Sequence, residues 1–190
     1  VVLAIGGGFT SLDPGYVYEK YPPVIVNACY ENLFKFYSND GEAEPCLADS
    51  YEFSEDGLTL TVKLKDGITF ASGNKMTSED VKFSINRCKN LKGNPSFICD
   101  TIANIETPDE STVVFTLTQP DSAILSKLTY SSLAVLDSAV VKEHGGTDAE
   151  DASTADTAQA YLDTTSAGSG MYIMTSYKPD EEIILEKNPN

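Results

Sequence analysis

Four cysteines and a single histidine are the residues of this 190-residue chain with the most direct capacity for metal or nucleophilic chemistry. Cys29, Cys46, Cys88 and Cys99 are too widely spaced for the Cys-x-x-Cys ligand pairs of a structural zinc, and only His144 could add an imidazole. An even cysteine count fits disulfides in an exported protein. A turn at Gly93-Asn94-Pro95 would let Cys88 and Cys99 close a loop, the alternative being four buried thiols. His144 follows Lys142-Glu143 at an expected helix end, far in sequence from any serine or cysteine in a nucleophile motif, and reads as a surface residue. Carboxylates are abundant, yet nothing pairs two of them as acid and base, and the acids from Thr147 to Asp156 lack the spacing of a calcium loop. Gly6-Gly7-Gly8 runs into the turn residues Ser11-Leu12-Asp13-Pro14-Gly15 and not into a helix, which argues against a phosphate cradle. No catalytic residue, metal site or cofactor is expected, and the chain reads as a binder and not an enzyme.

The bulk composition narrows the classes further. Twenty-nine acidic residues against thirteen basic ones give a formal charge of −16, the wrong sign for a phosphate-binding surface, so nucleic acid is not an expected partner. With 41% hydrophobic and 22% charged residues the chain can bury a core. No stretch approaches the roughly twenty apolar residues of a membrane span. Val1 opens directly into a strand-like run without a basic and apolar leader, which reads as mature protein.

The elements follow from periodicity and punctuation. Val1–Ile5 reads as a buried strand. Pro22-Pro23 precedes an expected helix from Val24 to Phe34, apolar nearly all round and therefore mostly buried. After a turn at Ser38-Asn39-Asp40-Gly41, Leu47–Tyr51 and Leu58–Leu64 form a hairpin across Ser54-Glu55-Asp56-Gly57, with Leu58, Leu60, Val62 and Leu64 on the buried face. Asp66-Gly67 turns the chain, and Ile68-Thr69-Phe70 reads as a short strand continuation. Thr77-Ser78-Glu79-Asp80 starts a capped helix carrying Val81, Ile85 and Cys88. A turn at Pro108-Asp109 introduces a strand with Val113, Phe115 and Leu117 inward, ended by Pro120. Short helices are expected at 121–128 and 137–144, the latter stopped by Gly145-Gly146, and near 158–162. The acidic, small-residue stretch Thr147–Thr157 reads as a mobile, exposed surface segment. Gly168-Ser169-Gly170 feeds a strand at Met171–Tyr177, Lys178-Pro179-Asp180 turns, and Glu182–Leu185 returns; the ending at Asn188-Pro189-Asn190 reads as cut. Strands and helices in mixed order give an α+β fold with a mainly antiparallel sheet and packed helices.

Residues Tyr51 to Arg87, YEFSEDGLTLTVKLKDGITFASGNKMTSEDVKFSINR, closely resemble the signature of the family 5 bacterial extracellular solute-binding proteins, which serve peptide and nickel ABC importers. Ser11-Leu12-Asp13-Pro14, Tyr30-Glu31-Asn32-Leu33, Pro45-Cys46-Leu47-Ala48-Asp49, Gly168-Ser169-Gly170-Met171-Tyr172 and Asn188-Pro189 agree with it in order and spacing. Met171 stands where the family pattern usually has proline, and the Tyr-Trp that commonly follows Asn-Pro is missing. The resemblance implies a lobe of a periplasmic-binding-protein type II (Venus-flytrap) fold. Residues 1–42 would begin the central lobe, 43–166 would form an inserted subdomain, and 167–190 would return into the central lobe, ahead of a second lobe.

The interval between Leu12-Asp13-Pro14 and Tyr30-Glu31 matches that of oligopeptide-binding relatives, whose ligand backbone pairs with the intervening loop. On that count Tyr18, Glu19 and Lys20 fall at contact positions, and an irregular loop suits β-like pairing with an extended peptide. Phe97, beside Pro95, is a candidate cleft wall, with core packing as its alternative reading. The resemblance implies capture of oligopeptides or related small solutes for membrane permease subunits by a monomer held outside the cytoplasm, periplasmic or lipid-anchored. Nickel chelates and sugars stay open as solutes. A receptor or adhesive module on the same scaffold is the alternative.

Overall fold

The structure, a computed structural model, describes residues 8–38, 41–179 and 181–190. The expected Val1–Ile5 strand, Gly6-Gly7 and the turn residues Asn39, Asp40 and Asp180 lie outside the described residues.

A 3₁₀ turn at Pro14–Tyr16 is capped by Asp13, whose Oδ1 accepts the Gly15 N–H at 2.9 Å. Helix α1 (Pro22–Cys29) then starts on its two prolines but stops at Cys29, short of the expected Phe34. Tyr30 is already extended, and Phe34–Lys35 is strand β1, paired antiparallel with β2 (Glu44–Pro45). Tertiary contacts override local helix preference here. The Cys29 carbonyl accepts the Gly170 N–H at 3.0 Å, the Tyr30 hydroxyl accepts the Ala167 N–H at 3.1 Å, and the Asn32 amide donates to the Leu128 and Tyr130 carbonyls. Nor is α1 buried all round, since Val26 and Cys29 face inward while Val24 is exposed.

The alternating segment behaves as its pattern requires. β3 (Ala48–Phe53) and β4 (Thr59–Leu64) form an antiparallel hairpin, reversed where Gly57 takes a φ of 68° and Asp56 accepts the Leu58 N–H. Leu60, Val62 and Leu64 are buried; Leu58, just before the strand, is only half-buried. Ile68–Phe70 does not extend the strand and pairs only through a Thr69–Lys75 bridge. Helix α2 (Ser78–Leu91) follows Thr77, whose N–H and hydroxyl both donate to the Asp80 carboxylate at 2.8 and 3.0 Å. The sequence pattern does not announce β5 (Ile102–Asp109), because Pro108 and two bulges interrupt its alternation. It pairs with β6 (Thr112–Leu117) across Glu110-Ser111, so the turn falls just beyond Pro108-Asp109. The four strands lie in the order β3-β4-β6-β5, every neighbour antiparallel.

Short helices α3 (Ile124–Lys127) and α4 (Ser138–Glu143) follow; Asp137 caps α4 by accepting from the Ala139 and Val140 N–H groups. The acidic stretch after them is mostly exposed, as its composition suggests, but two of its residues depart from the sequence reading. It contains α5 (Ala152–Ala155) with Ala152 buried, and the side chain of Asp156 is only 1% exposed. Charge composition suggested solvent, but a buried cation supplies Asp156 with a partner. Then α6 (Gln159–Leu162) leads to the antiparallel hairpin β7 (Tyr172–Lys178) and β8 (Glu182–Lys187). Gly170 is required by close packing, since a Cβ there would lie 2.6 Å from the Ala28 oxygen and the Tyr30 nitrogen.

Buried apolar residues form two clusters. One, including Leu60, Val62, Phe115, Ile85 and Cys88, fills the space between the four-stranded sheet and one face of α2. The other gathers Leu12, Val26, Tyr30, Val141, Leu162 and Met174, and takes Phe83 from α2. Helix α2 is thus shared by both, which makes it the element through which the N-terminal loop is referenced to the sheet.

Candidate solute-contact site

The loop Val17–Tyr21 is held at its base by buried polar contacts. The Asp163 carboxylate accepts from the Ser11 hydroxyl at 2.6 Å and from the Leu12 and Asp13 N–H groups at 2.7 and 3.1 Å. Asp13 receives Arg87 Nη1 and Nη2, and Asp156 receives Arg87 Nε and Nη2, all at 2.7 to 2.9 Å. Burial alone would lower the Arg87 pKa, but the hydrogen bonds it donates to these carboxylates outweigh it and hold the guanidinium protonated well above its ordinary range. Gly15 packs directly beneath, where a Cβ would sit 2.6 Å from a Leu91 methyl. Val17 is buried, and the chain then emerges.

Tyr18, Glu19 and Lys20 are all exposed. The Tyr18 ring meets Phe97 edge to face, centroids 5.4 Å apart at 84°, although each remains about half exposed, at 50% and 51%. Phe97 rides on the 3₁₀ turn Asn94–Cys99, which follows Gly93; a Cβ at Gly93 would lie 2.9 Å from the Tyr16 ring, so the two turns are in contact. The structure therefore brings Tyr18 and Phe97 together and leaves Phe97 outside the core. Glu19 and Lys20 turn elsewhere. The Glu19 carboxylate accepts from the Thr10 hydroxyl at 2.7 Å and its N–H at 3.2 Å, while the Lys20 ammonium lies 5.5 Å from the centre of the Tyr21 ring. Among the described residues, no hydrogen bond engages the backbone of Tyr18, Glu19 or Lys20. Such an arrangement sets main-chain groups that no described residue engages beside an aromatic pair, which suits an extended polar chain.

Sequence reasoning missed Arg87, Asp156 and Asp163 as the groups that set this loop. The available signal was Arg87 itself, a cation on a helix whose neighbours Ile85 and Cys88 face the core, since a buried charge must find partners. His144 is exposed, its ring stacked at 3.6 Å on Tyr161. A small cavity of about 180 Å³ lies away from the loop, between Phe70-Ala71-Ser72 and Ser166-Ala167. Its one carboxylate, Asp137, is fully engaged by the Ser72 hydroxyl, the Asn74 amide and the α4 N-terminus.

This arrangement, an antiparallel subdomain on α2 with a return hairpin and an open aromatic loop, is that of a periplasmic-binding-protein type II lobe. Superposition on the solute-binding protein MoaA from A. tumefaciens R10, solved with mannopinic acid, gives a TM-score of 0.81 at 25% identity, covering 94% of this chain and 35% of that one. The chain belongs to the bacterial extracellular solute-binding proteins, family 5, whose sequence model for the middle region matches residues 42–190. It is 31% identical over 185 residues to the probable D,D-dipeptide-binding periplasmic protein DdpA of Escherichia coli (strain K12), covering 95% of this chain and 34% of that protein. It is 32% identical over 147 residues to the glutathione-binding protein GsiB of the same strain, covering 76% and 28% respectively. The chain thus spans about a third of the length of these curated relatives.

Proposed function

We propose that this chain is the first lobe of the substrate-binding component of an ABC importer that captures oligopeptides, or closely related small solutes, outside the cytoplasm and presents them to membrane permease subunits. The observation that carries this reading is the backbone of Tyr18–Lys20, which no hydrogen bond engages among the described residues, beside the Tyr18–Phe97 aromatic pair. Backbone-directed pairing holds a peptide independently of its side chains. The relatives' names, one for a D,D-dipeptide and one for glutathione, favour small peptidic cargo over sugars. In this reading residues 43–166 form the inserted subdomain, the lobes flanking it belong to the central domain, and a monomer, periplasmic or lipid-anchored, closes over the solute. Tyr18 and Phe97 contact the solute by side chain, and Glu19 and Lys20 by main chain.

The test is a thermal-shift screen of purified full-length protein against peptide pools, nickel chelates and oligosaccharides, since a ligand that binds only the folded state raises Tm. Stabilisation by peptides, abolished in Tyr18→Ala/Phe97→Ala, is the expected result. Stabilisation by chelates or sugars alone would overturn the cargo assignment, and stabilisation that survives the double substitution would overturn the site.

A further inference from the structure

We propose that Cys88 and Cys99 are a disulfide-forming pair that ties the 3₁₀ turn Asn94–Cys99 covalently to helix α2. Cys88 lies in the last turn of α2 and faces the core. Lys92 takes the left-handed conformation, φ 55° and ψ 25°, which reverses the chain, and Gly93-Asn94-Pro95 starts the turn that Cys99 ends. The reversal lays Cys99 back over the helix, its Sγ 4.0 Å from the carbonyl oxygen of Ile85, three residues ahead of Cys88. Both residues are free thiols in this structure and sit in the same apolar cluster with at most 1% exposure. The other two cysteines lie elsewhere: Cys46 Sγ is 3.8 Å from Glu31 Oε1, and Cys29 is buried in the second apolar cluster.

The chemistry is thiol–disulfide exchange. A low-molecular-weight disulfide, or the active-site disulfide of an extracytoplasmic thiol oxidoreductase, accepts two electrons and is reduced to two thiols; Cys88 and Cys99 each lose a proton, and one S–S bond forms. The neighbouring Cys99 thiol and burial push the Cys88 thiol well above its ordinary range, so Cys88 is a poor nucleophile once packed. Exchange therefore occurs as the chain folds, while the short intervening loop keeps the thiols close, and packing then shields the bond from reductant. The bond holds the turn that carries Phe97, a consequence that rests on the site reading above; the bond itself does not.

The experiment is to refold full-length protein in oxidised glutathione or in dithiothreitol, denature, block with iodoacetamide and map proteolytic peptides without reduction. The expected result is one linked species joining the Cys88 and Cys99 peptides after oxidative refolding only, with a Tm a few degrees above that of the reduced form. A Cys29→Ser/Cys46→Ser variant, which retains the pair, should give the same link. Carbamidomethylation of both Cys88 and Cys99 after oxidative refolding, or linkage of either to another cysteine, overturns the proposal. Because the map reads the bond and not a ligand, it stands or falls separately from solute binding.

Discussion

Arg87 and Asp13 face each other in a two-pronged ion pair, Nη1 to Oδ1 at 2.8 Å and Nη2 to Oδ2 at 2.7 Å, with neither side chain exposed. Asp156 meets the other edge of the same guanidinium at 2.8 and 2.9 Å. One cation on α2 thereby joins the base of the N-terminal loop to the segment after α5. Desolvating three charges is costly, so the net stabilisation of such a triad over an apolar equivalent is small, and its effect is to fix which segments meet. A lysine could not reproduce it, because a single ammonium lacks the planar fork that spans two carboxylates.

Arg87→Met is expected to destabilise the protein by about 3–5 kcal/mol, since two buried carboxylates lose their counter-charge. Arg87→Lys should recover only part of this. Urea denaturation followed by far-UV circular dichroism measures both. A loss below about 1 kcal/mol for Arg87→Met would show that the carboxylates find water, and the triad would no longer explain the loop's position.

Gly170→Ala should cost about 1–3 kcal/mol through overpacking, because the added methyl meets the backbone of Ala28–Tyr30 and not a flexible side chain. Gly67→Ala is the informative contrast. Nothing lies within 4 Å of a Cβ there, so its penalty comes only from a φ of +75°. Equal melting temperatures for Gly170→Ala and the parent would mean that the β7 entry shifts freely away from α1.

For the aromatic pair, a double-mutant cycle over Tyr18→Ala and Phe97→Ala should give a folding coupling at the low end of the ~0.5–1.5 kcal/mol typical of edge-to-face contacts, since both rings are half exposed. The same cycle read by calorimetric titration with a peptide that binds should give a larger coupling, because solute would cover both rings at the proposed site. Additive effects on binding would separate the two residues and leave the loop without its aromatic wall.

What was legible in the sequence follows from how local the cause is. The hairpin at Leu58–Leu64, the capped helix at Thr77 and the strand through Phe115 depend on alternation, capping and turn residues within a few positions, and they stand where the pattern puts them. Helix α1 ends early because Gly170, Ala167, Leu128 and Tyr130 compete for groups at Cys29–Asn32, and no local window contains them. Most of Thr147–Asp156 is exposed as its composition suggests, but composition cannot reveal that Arg87 needs Asp156. At the candidate site, spacing and resemblance offered Tyr18 and Phe97 as solute contacts, with core packing as the alternative for Phe97. Only the fold showed that their rings touch, and that the Glu19 side chain is tied to Thr10.

Acid stability offers a test of the β5–β6 turn. Asp109 accepts from the Thr112 hydroxyl at 2.7 Å, from the Ser111 N–H at 2.9 Å and from the Ser111 hydroxyl at 3.0 Å, with Lys63 at 3.8 Å. These bonds, the Thr112 hydroxyl first, hold its carboxyl at about 2, below the ordinary 3.8. A carboxylate depressed on folding contributes stability above its unfolded pKa and loses it as pH falls through the folded value, so the window here runs from about 4 down to about 2. The Tm difference between the parent and Asp109→Asn should therefore be constant above about pH 5 and shrink as pH approaches 2. Carbon-detected NMR titration of the Asp109 carboxyl should show a midpoint near the lower end of that window. Because the group is solvent-exposed, added salt should weaken only the Lys63 contribution, leaving most of the difference in place. A difference that does not change with pH would mean that the hydroxyl and N–H contacts bind the protonated carboxyl as well as the charged one, and the turn would then hold by shape and not by charge.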